Sequence, residues 1–303
     1  MTVADIDAGP VAVASGAGQT IFRRNLARFA ANRLAMASVA VVFLFVLLAI
    51  FAPWIAPHDP NETDLFRRLQ PPAWQAGGEW SYLLGCDALG RDILSRIIYG
   101  SRISIFIGAA VIFVATTVGI AAGLAAGYFR GWVDVTISRL VDILLSFPYL
   151  IFAIGLMAMM GPGLVNIILA LAYKEWVIPC RVVRGETLAT RELEYVEAAR
   201  ALGASSAHIM AREILPNILS PVIVVSTIRI AHVIILEASL SFLGLGVQPP
   251  TASWGSMVAD GRAFILGAWW VSTFPGLAIL LLVLAINVAS QGLRDAFDPR
   301  FQE

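Results

Sequence analysis

Six apolar stretches, each about as long as a bilayer demands of a helix, constrain this chain more than any other feature. They fall at about 34–55, 103–127, 140–160, 164–182, 217–237 and 268–290. A hydrocarbon core of roughly 30 Å takes about 20 helical residues to cross, and backbone polar groups inside it must find partners within the helix. Composition agrees, since 58% of the 303 residues are hydrophobic and 14% charged, where a soluble domain carries about a quarter charged. We therefore expect an all-α polytopic membrane protein with six transmembrane helices. Its parts read as a cytosolic N-terminal segment 1–33, a first transmembrane helix 34–55, an external segment 56–101, and a five-helix core 102–303 holding a polar insert at 183–216. Net charge is zero and no basic block stands out, which argues against a nucleic-acid partner.

The first apolar stretch is too long for a signal peptide, whose apolar region is about 7–15 residues. It reads as a retained helix behind an Ala/Gly-rich, disordered 1–20. Orientation follows from arginine asymmetry. With the N-terminus inside, cytosolic segments hold thirteen arginines, beginning with Arg23, Arg24, Arg28 and Arg33, and external segments hold six. Both termini and the insert are then cytosolic. Cys86 and Cys180 fall toward opposite faces, so a disulfide is not expected, and no spacing suggests a metal site.

Two stretches carry packing signals. Gly119, Gly123 and Gly127 recur every four residues behind Ala115, a small-residue stripe along which a second helix approaches closely. Pro148 predicts a kink in the third stretch, because it removes a backbone donor. Gly161-Pro162-Gly163 predicts a tight turn between the third and fourth.

The insert reads as two short helices. Tyr195, Ala198, Ala199 and Leu202 form one apolar stripe. Gly203 suits the left-handed residue that ends a helix, and Ser205 or Ser206 is placed to cap the next. Five arginines balance five glutamates, a mixture that suits a protein partner better than lipid headgroups. Within it stand Glu197-Ala198-Ala199, three residues, Gly203, then Ile214-Leu215-Pro216.

That spacing resembles the EAA loop of bacterial ABC-importer permease subunits. The resemblance extends to Gly85-Cys86-Asp87-Ala88-Leu89-Gly90-Arg91-Asp92-Ile93-Leu94-Ser95-Arg96, to Leu240-Ser241-Phe242-Leu243-Gly244-Leu245-Gly246 with Ser253-Trp254-Gly255, and to Gly292-Leu293-Arg294-Asp295-Ala296-Phe297-Asp298-Pro299-Arg300. Together these are similar to the C-type permease of the peptide/nickel family. Pro71-Pro72-Ala73-Trp74-Gln75 and Ala268-Trp269-Trp270-Val271 are similar to its dipeptide members. The chain departs from the pattern at Cys86 (usually Thr), Ala252 (usually Pro), Ser290-Gln291 (usually Gly-Asp) and Glu213, often apolar. The resemblance implies a type I importer permease fold and half of a translocation pathway in a bacterial inner membrane. It also implies a second homologous permease, one or two cytosolic ATPases holding ATP and Mg, and an external substrate-binding protein, with no cofactor on this chain. Glu197, Ala198, Ala199, Gly203, Leu215 and Pro216 would then couple the chain to the ATPases. Dipeptides or short oligopeptides are the implied cargo, with nickel complexes or glutathione-like peptides as alternatives.

Charges inside the apolar stretches are a second set of candidates. Lys174, the sole lysine, adjoins Glu175, while Arg229 and Glu237 lie in or near the fifth stretch. Each charge costs about 2.5–3.5 kcal/mol at a helix centre on insertion scales, so such groups face an interior or a partner. Two readings stay open: they line the substrate path, or they pair between helices. Residues 89–100 form an amphipathic pattern, read either as a helix on the outer membrane surface or as a cap over the helix ends.

Other classes fit less well. His58, His208 and His232 are scattered, no His-Glu-x-x-His or Gly-x-Ser-x-Gly occurs, and no Walker motif is present. A secondary transporter would leave the docking insert without a purpose and would often show an internal repeat, which is not evident.

Overall fold

The computed structural model describes residues 27–297; the Ala/Gly-rich start, Arg23, Arg24 and the closing Asp298-Pro299-Arg300 lie outside them. The described elements are helical apart from one isolated bridge between Cys86 and Asp92. We number the main helices α1 (Arg33–Ile50), α2 (Ile93–Phe129), α3 (Gly131–Ser146), α4 (Tyr149–Met160), α5 (Leu164–Glu175) and α6 (Val177–Thr190). They continue with α7 (Glu194–Ala201), α8 (Ser206–Phe242), α9 (Trp254–Gly261) and α10 (Trp270–Phe297).

Four helices, α1, α2, α8 and α10, are each long and apolar enough to cross a membrane. The third expected span is two helices: α3 and α4 meet at 92° and make a fifth crossing only if taken together. Pro148 causes the break. It lacks the N–H that would reach Leu144, and it pushes Phe147 out of the helical region to an extended φ −91°, ψ 137°. The fourth expected span, 164–182, is likewise not one helix. It is interrupted at Trp176, just before Pro179, which has no N–H for the Glu175 carbonyl. Helix α6 runs on to Thr190, so the first residues of the polar insert are helical.

The chain between α1 and α2 folds as a cap. Residues 93–100, expected either on the membrane surface or as part of that cap, are instead the first turns of α2. This helix has 37 residues, so at 1.5 Å per residue it is roughly 55 Å long and stands proud of a bilayer. Asp92 caps it by accepting the Ser95 N–H at 2.9 Å. Asp87 accepts from Arg91 Nε at 2.7 Å, and Arg96 donates to the Pro60 carbonyl at 2.9 Å, pinning the cap to the helix start. Trp254 is fully buried against Gly100 and donates to the Ile97 carbonyl at 2.9 Å, which brings α9 onto the same end of α2.

The glycine stripe does what its spacing predicts. A Cβ on Gly119 would lie 2.7 Å from Pro179 Cβ, one on Gly123 2.7 Å from the Cys180 carbonyl oxygen, and one on Gly127 2.7 Å from Thr187 Cβ. Four-residue steps on α2 thus meet four-residue steps on α6, backbone against backbone. Ala115 is buried one turn earlier. The two cysteines are free and buried, Cys86 in the cap and Cys180 in α6.

Candidate functional site

Helix α7 is short, and neighbours on three sides hold it. Val196 is its one fully buried side chain, packed among Leu124 and Tyr128 of α2, Val183 of α6 and Ile209, Ile214 and Ile218 of α8, with half-buried Ala199 beside it. Polar ties complete the grip. Tyr195 Oη accepts from Asn217 Nδ2 at 3.0 Å, which itself donates to the Glu213 carbonyl at 2.7 Å. Arg191 donates to the Tyr128 carbonyl, and Arg130 pairs with Glu192 at 2.6 Å. The guanidinium carbons of Arg191 and Arg200 lie 5.8 and 5.9 Å from the Tyr128 ring centroid. Arg184 Nη2 and Asp134 Oδ2, 2.7 Å apart, tie α6 to α3 on the same side.

Gly203 ends α7 at φ +83°. The N–H of Gly203 bonds the Arg200 carbonyl at 3.0 Å, and that of Ala204 bonds the Ala199 carbonyl at 3.1 Å. These two bonds are a complete Schellman stop. Ser205 then caps the next turn, accepting from His208 N at 3.3 Å. The turn opens into a π-helix at Ile209–Ile214, immediately before Leu215-Pro216. Pro216 lacks an N–H and its ring crowds the carbonyl four residues back, and the wider turn relieves that crowding.

The expected stripe is divided between two faces. Ala199 turns inward beside Val196, whereas Tyr195, Ala198 and Leu202 are exposed, Leu202 by 89%. Glu197 is exposed beside them and makes no ion pair among the described residues. The result is a small apolar, acid-edged surface on a helix anchored through Val196 and Tyr195. Leu215 is half-buried and Pro216 exposed, both at the root of α8. Val196, Tyr128, Asn217 and the Arg184–Asp134 pair escaped sequence reasoning, because what each touches is far away in the chain.

The intramembrane charges do not act as one set. Glu175 is fully buried and accepts from Arg229 Nε, with His232 Nδ1 3.8 Å from its other oxygen. Arg229 Nη2 lies 2.9 Å from His232 Nδ1. Lys174 does not pair with its neighbour; its amine donates to the Phe147 carbonyl, one of those freed where α3 breaks from α4. Glu237 stands apart, fully buried, accepting from Ser241 Oγ at 2.7 Å and Ser104 Oγ at 3.2 Å. Three of the four candidates therefore gather where α3/α4 and α5/α6 are interrupted, joined by His232, and the fourth does not.

The structure is thus a bundle of membrane-length helices with a short helix, α7, packed at one end through Val196 and presenting an exposed face. Residues 119–303 match the family model described as "Binding-protein-dependent transport system inner membrane component", and residues 20–72 match "N-terminal TM domain of oligopeptide transport permease C". The di/tripeptide transport system permease protein DppC of Pseudomonas aeruginosa is 43% identical over 274 residues, 90% of each chain. The dipeptide transport system permease protein DppC of Escherichia coli is 44% identical over 275 residues, 91% of this chain and 92% of that one. Among solved structures, the inward-facing MetNI methionine ABC transporter shares the fold at a TM-score of 0.54 and 20% identity, over 67% of this chain and 97% of its own. The chain belongs to the binding-protein-dependent transport permeases. It is a multi-pass inner-membrane subunit with the ABC importer permease fold.

Proposed function

We propose that this chain forms half of an ATP-driven import pathway for dipeptides or short oligopeptides. A second homologous permease supplies the other half, an external binding protein delivers cargo, and one or two cytosolic ATPases bind the ATP and Mg. Both termini and α7 lie on the cytosolic side. The substrate class is supported by the names of the relatives, which cover nine-tenths of the chain.

The observation that carries the coupling role is the exposed Glu197–Ala198–Leu202 face on a helix anchored on its other side by Val196. An exposed apolar patch marks a docking surface, and its small residues let a partner's groove close on the backbone. Because α7 is tied to α2, α6 and α8, a rigid-body shift of the ATPase would pass to the membrane helices instead of being absorbed. Within the membrane, the exposed edges of Arg229 and His232 would be costly against lipid, so we place them toward the pathway between the two permeases. Glu175 holds Arg229 in position, Lys174 steadies the α3–α4 break, and Glu237 is structural.

A Leu202→Cys chain tests the docking. In the assembled complex its thiol should cross-link to a cysteine placed in the ATPase groove, and the link should block import. Free access of Leu202→Cys to bulky reagents in the complex would count against docking there.

A further inference from the structure

A cavity of about 790 Å³ lies between the end of α1 and the early turns of α2. Asp59, Tyr99 and Arg102 line it beside the polar cap, and Ile105, Phe106 and Ala109 line it deeper along α2. Arg102 is exposed and makes no ion pair among the described residues; its guanidinium carbon lies 6.0 Å from the Tyr99 ring centroid. The Asp59 carboxylate accepts the Asn61 N–H at 2.8 Å and meets no cation among the described residues. Two opposite charges thus face one cleft without neutralising each other. The level is that of a membrane surface, since α1 ends at Ile50 and exposed Phe51 and Trp54 follow, the aromatic residues favoured at headgroup depth.

A second cavity, of about 360 Å³, shares Ile105 and Ala109 with the first. It continues among α1, α2, α8 and α10 past Val42, Ile230 and Leu282, and Thr227 is the sole polar residue on its wall. A doubly charged mouth therefore adjoins a long apolar slot, the two sharing one stretch of the α2 wall at Ile105 and Ala109.

We propose that this recess holds one phospholipid with a zwitterionic, ammonium-bearing headgroup of the phosphatidylethanolamine type. Its phosphate meets Arg102 and its ammonium Asp59, while an acyl chain follows Ile105 and Ala109 into the second cavity. A transported peptide also carries both signs, but its amides need hydrogen-bond partners when buried, and the slot offers one hydroxyl. The lipid would wedge the N-terminal helix to the core at the edge of the bundle. This inference rests on reading 56–92 as a segment at the membrane surface, and not on how the chain is powered.

The test uses the assembly that this chain brings down from its native membranes. Native mass spectrometry reads the lipid retained per chain. After delipidation, phosphatidylethanolamine, phosphatidylglycerol with the same acyl chains, and a dipeptide are titrated back separately. One phosphatidylethanolamine should be retained per chain. Arg102→Gln or Asp59→Asn should weaken its binding about tenfold, the loss expected of one charge-assisted contact. Arg102→Lys should retain most of it, and Ala109→Leu should exclude the lipid without altering either charge. Phosphatidylglycerol binding equally tightly, a dipeptide displacing the lipid, or retention unchanged in all the variants would each overturn the proposal. ATP-driven uptake is read separately on the same preparation. Uptake with no retained lipid overturns this inference alone, and retained lipid with no uptake overturns the transport reading alone.

Discussion

Gly203 has φ +83°, and a Cβ added there would meet nothing within 4 Å. A larger residue at this position is therefore penalised by backbone conformation and not by a clash, at about 1–2 kcal/mol. Gly203→Val should leave the chain folded and inserted but weaken the Schellman stop that aims α7. We expect cargo moved per ATP hydrolysed to fall several-fold while ATPase activity persists, measured by paired uptake and phosphate-release assays, with Gly203→Asn milder because Asn tolerates the left-handed region. Cys86 gives a pH prediction. Burial, aided by Asp92 and Asp87, pushes its thiol from the ordinary 9.0 up to about 12. Alkylation proceeds through the thiolate, so in a Cys180→Ala chain Cys86 should stay unmodified near neutrality and react only as pH climbs through 9 toward 12. Rapid alkylation at pH 7 would contradict the buried position. Gly203 was legible because few residues other than glycine end a helix this way. Val196 was not, because one valine among many acquires meaning only when Ile209, Ile214 and Ile218 close over it.

At the scale of elements, the seam between α2 and α6 joins the segment leading into α7 to the bundle. An added side chain on Gly123 would collide with the Cys180 carbonyl and Val183, both at 2.7 Å, whereas Gly155 in α4 has nothing within 4 Å of its Cβ position. Gly123→Val should force the helices apart at about 1–3 kcal/mol, the usual cost of overpacking. Gly155→Ala should be neutral or stabilising by up to about 1 kcal/mol, since alanine is the better helix former. Thermal unfolding of the purified complex distinguishes the two, and equal midpoints would mean that the seam does not bear on stability. The stripe was legible because a period of four on one helix is a local pattern. The breaks at Phe147 and Trp176 were less so. Pro148 announced a bend, but its size depends on what receives the freed ends, and the Lys174 amine beneath the Phe147 carbonyl is supplied by a different helix.

For the whole molecule, orientation is the expectation on which the rest depends. Leu202 and Phe66 are both strongly exposed, one on α7 and the other in the cap. In vesicles holding the permeases without their ATPases, so that α7 is uncovered, Leu202→Cys should react with an impermeant reagent only when the vesicles are inside-out, and Phe66→Cys only when they are right-side-out; the reverse pattern would invert the topology. The fold class was plain from the apolar stretches, while the number of clean crossings was not, because prolines divide two of them. The central claim is that this chain is a pathway with no motor of its own, powered through α7. Uptake of a labelled dipeptide into proteoliposomes, with the binding protein on the external side of the permeases and ATP on the ATPase side, tests it most directly. The account predicts uptake that needs hydrolysable ATP and the ATPases and that Gly203→Val suppresses. Uptake that continues without the ATPases, driven by an ion gradient, would contradict it.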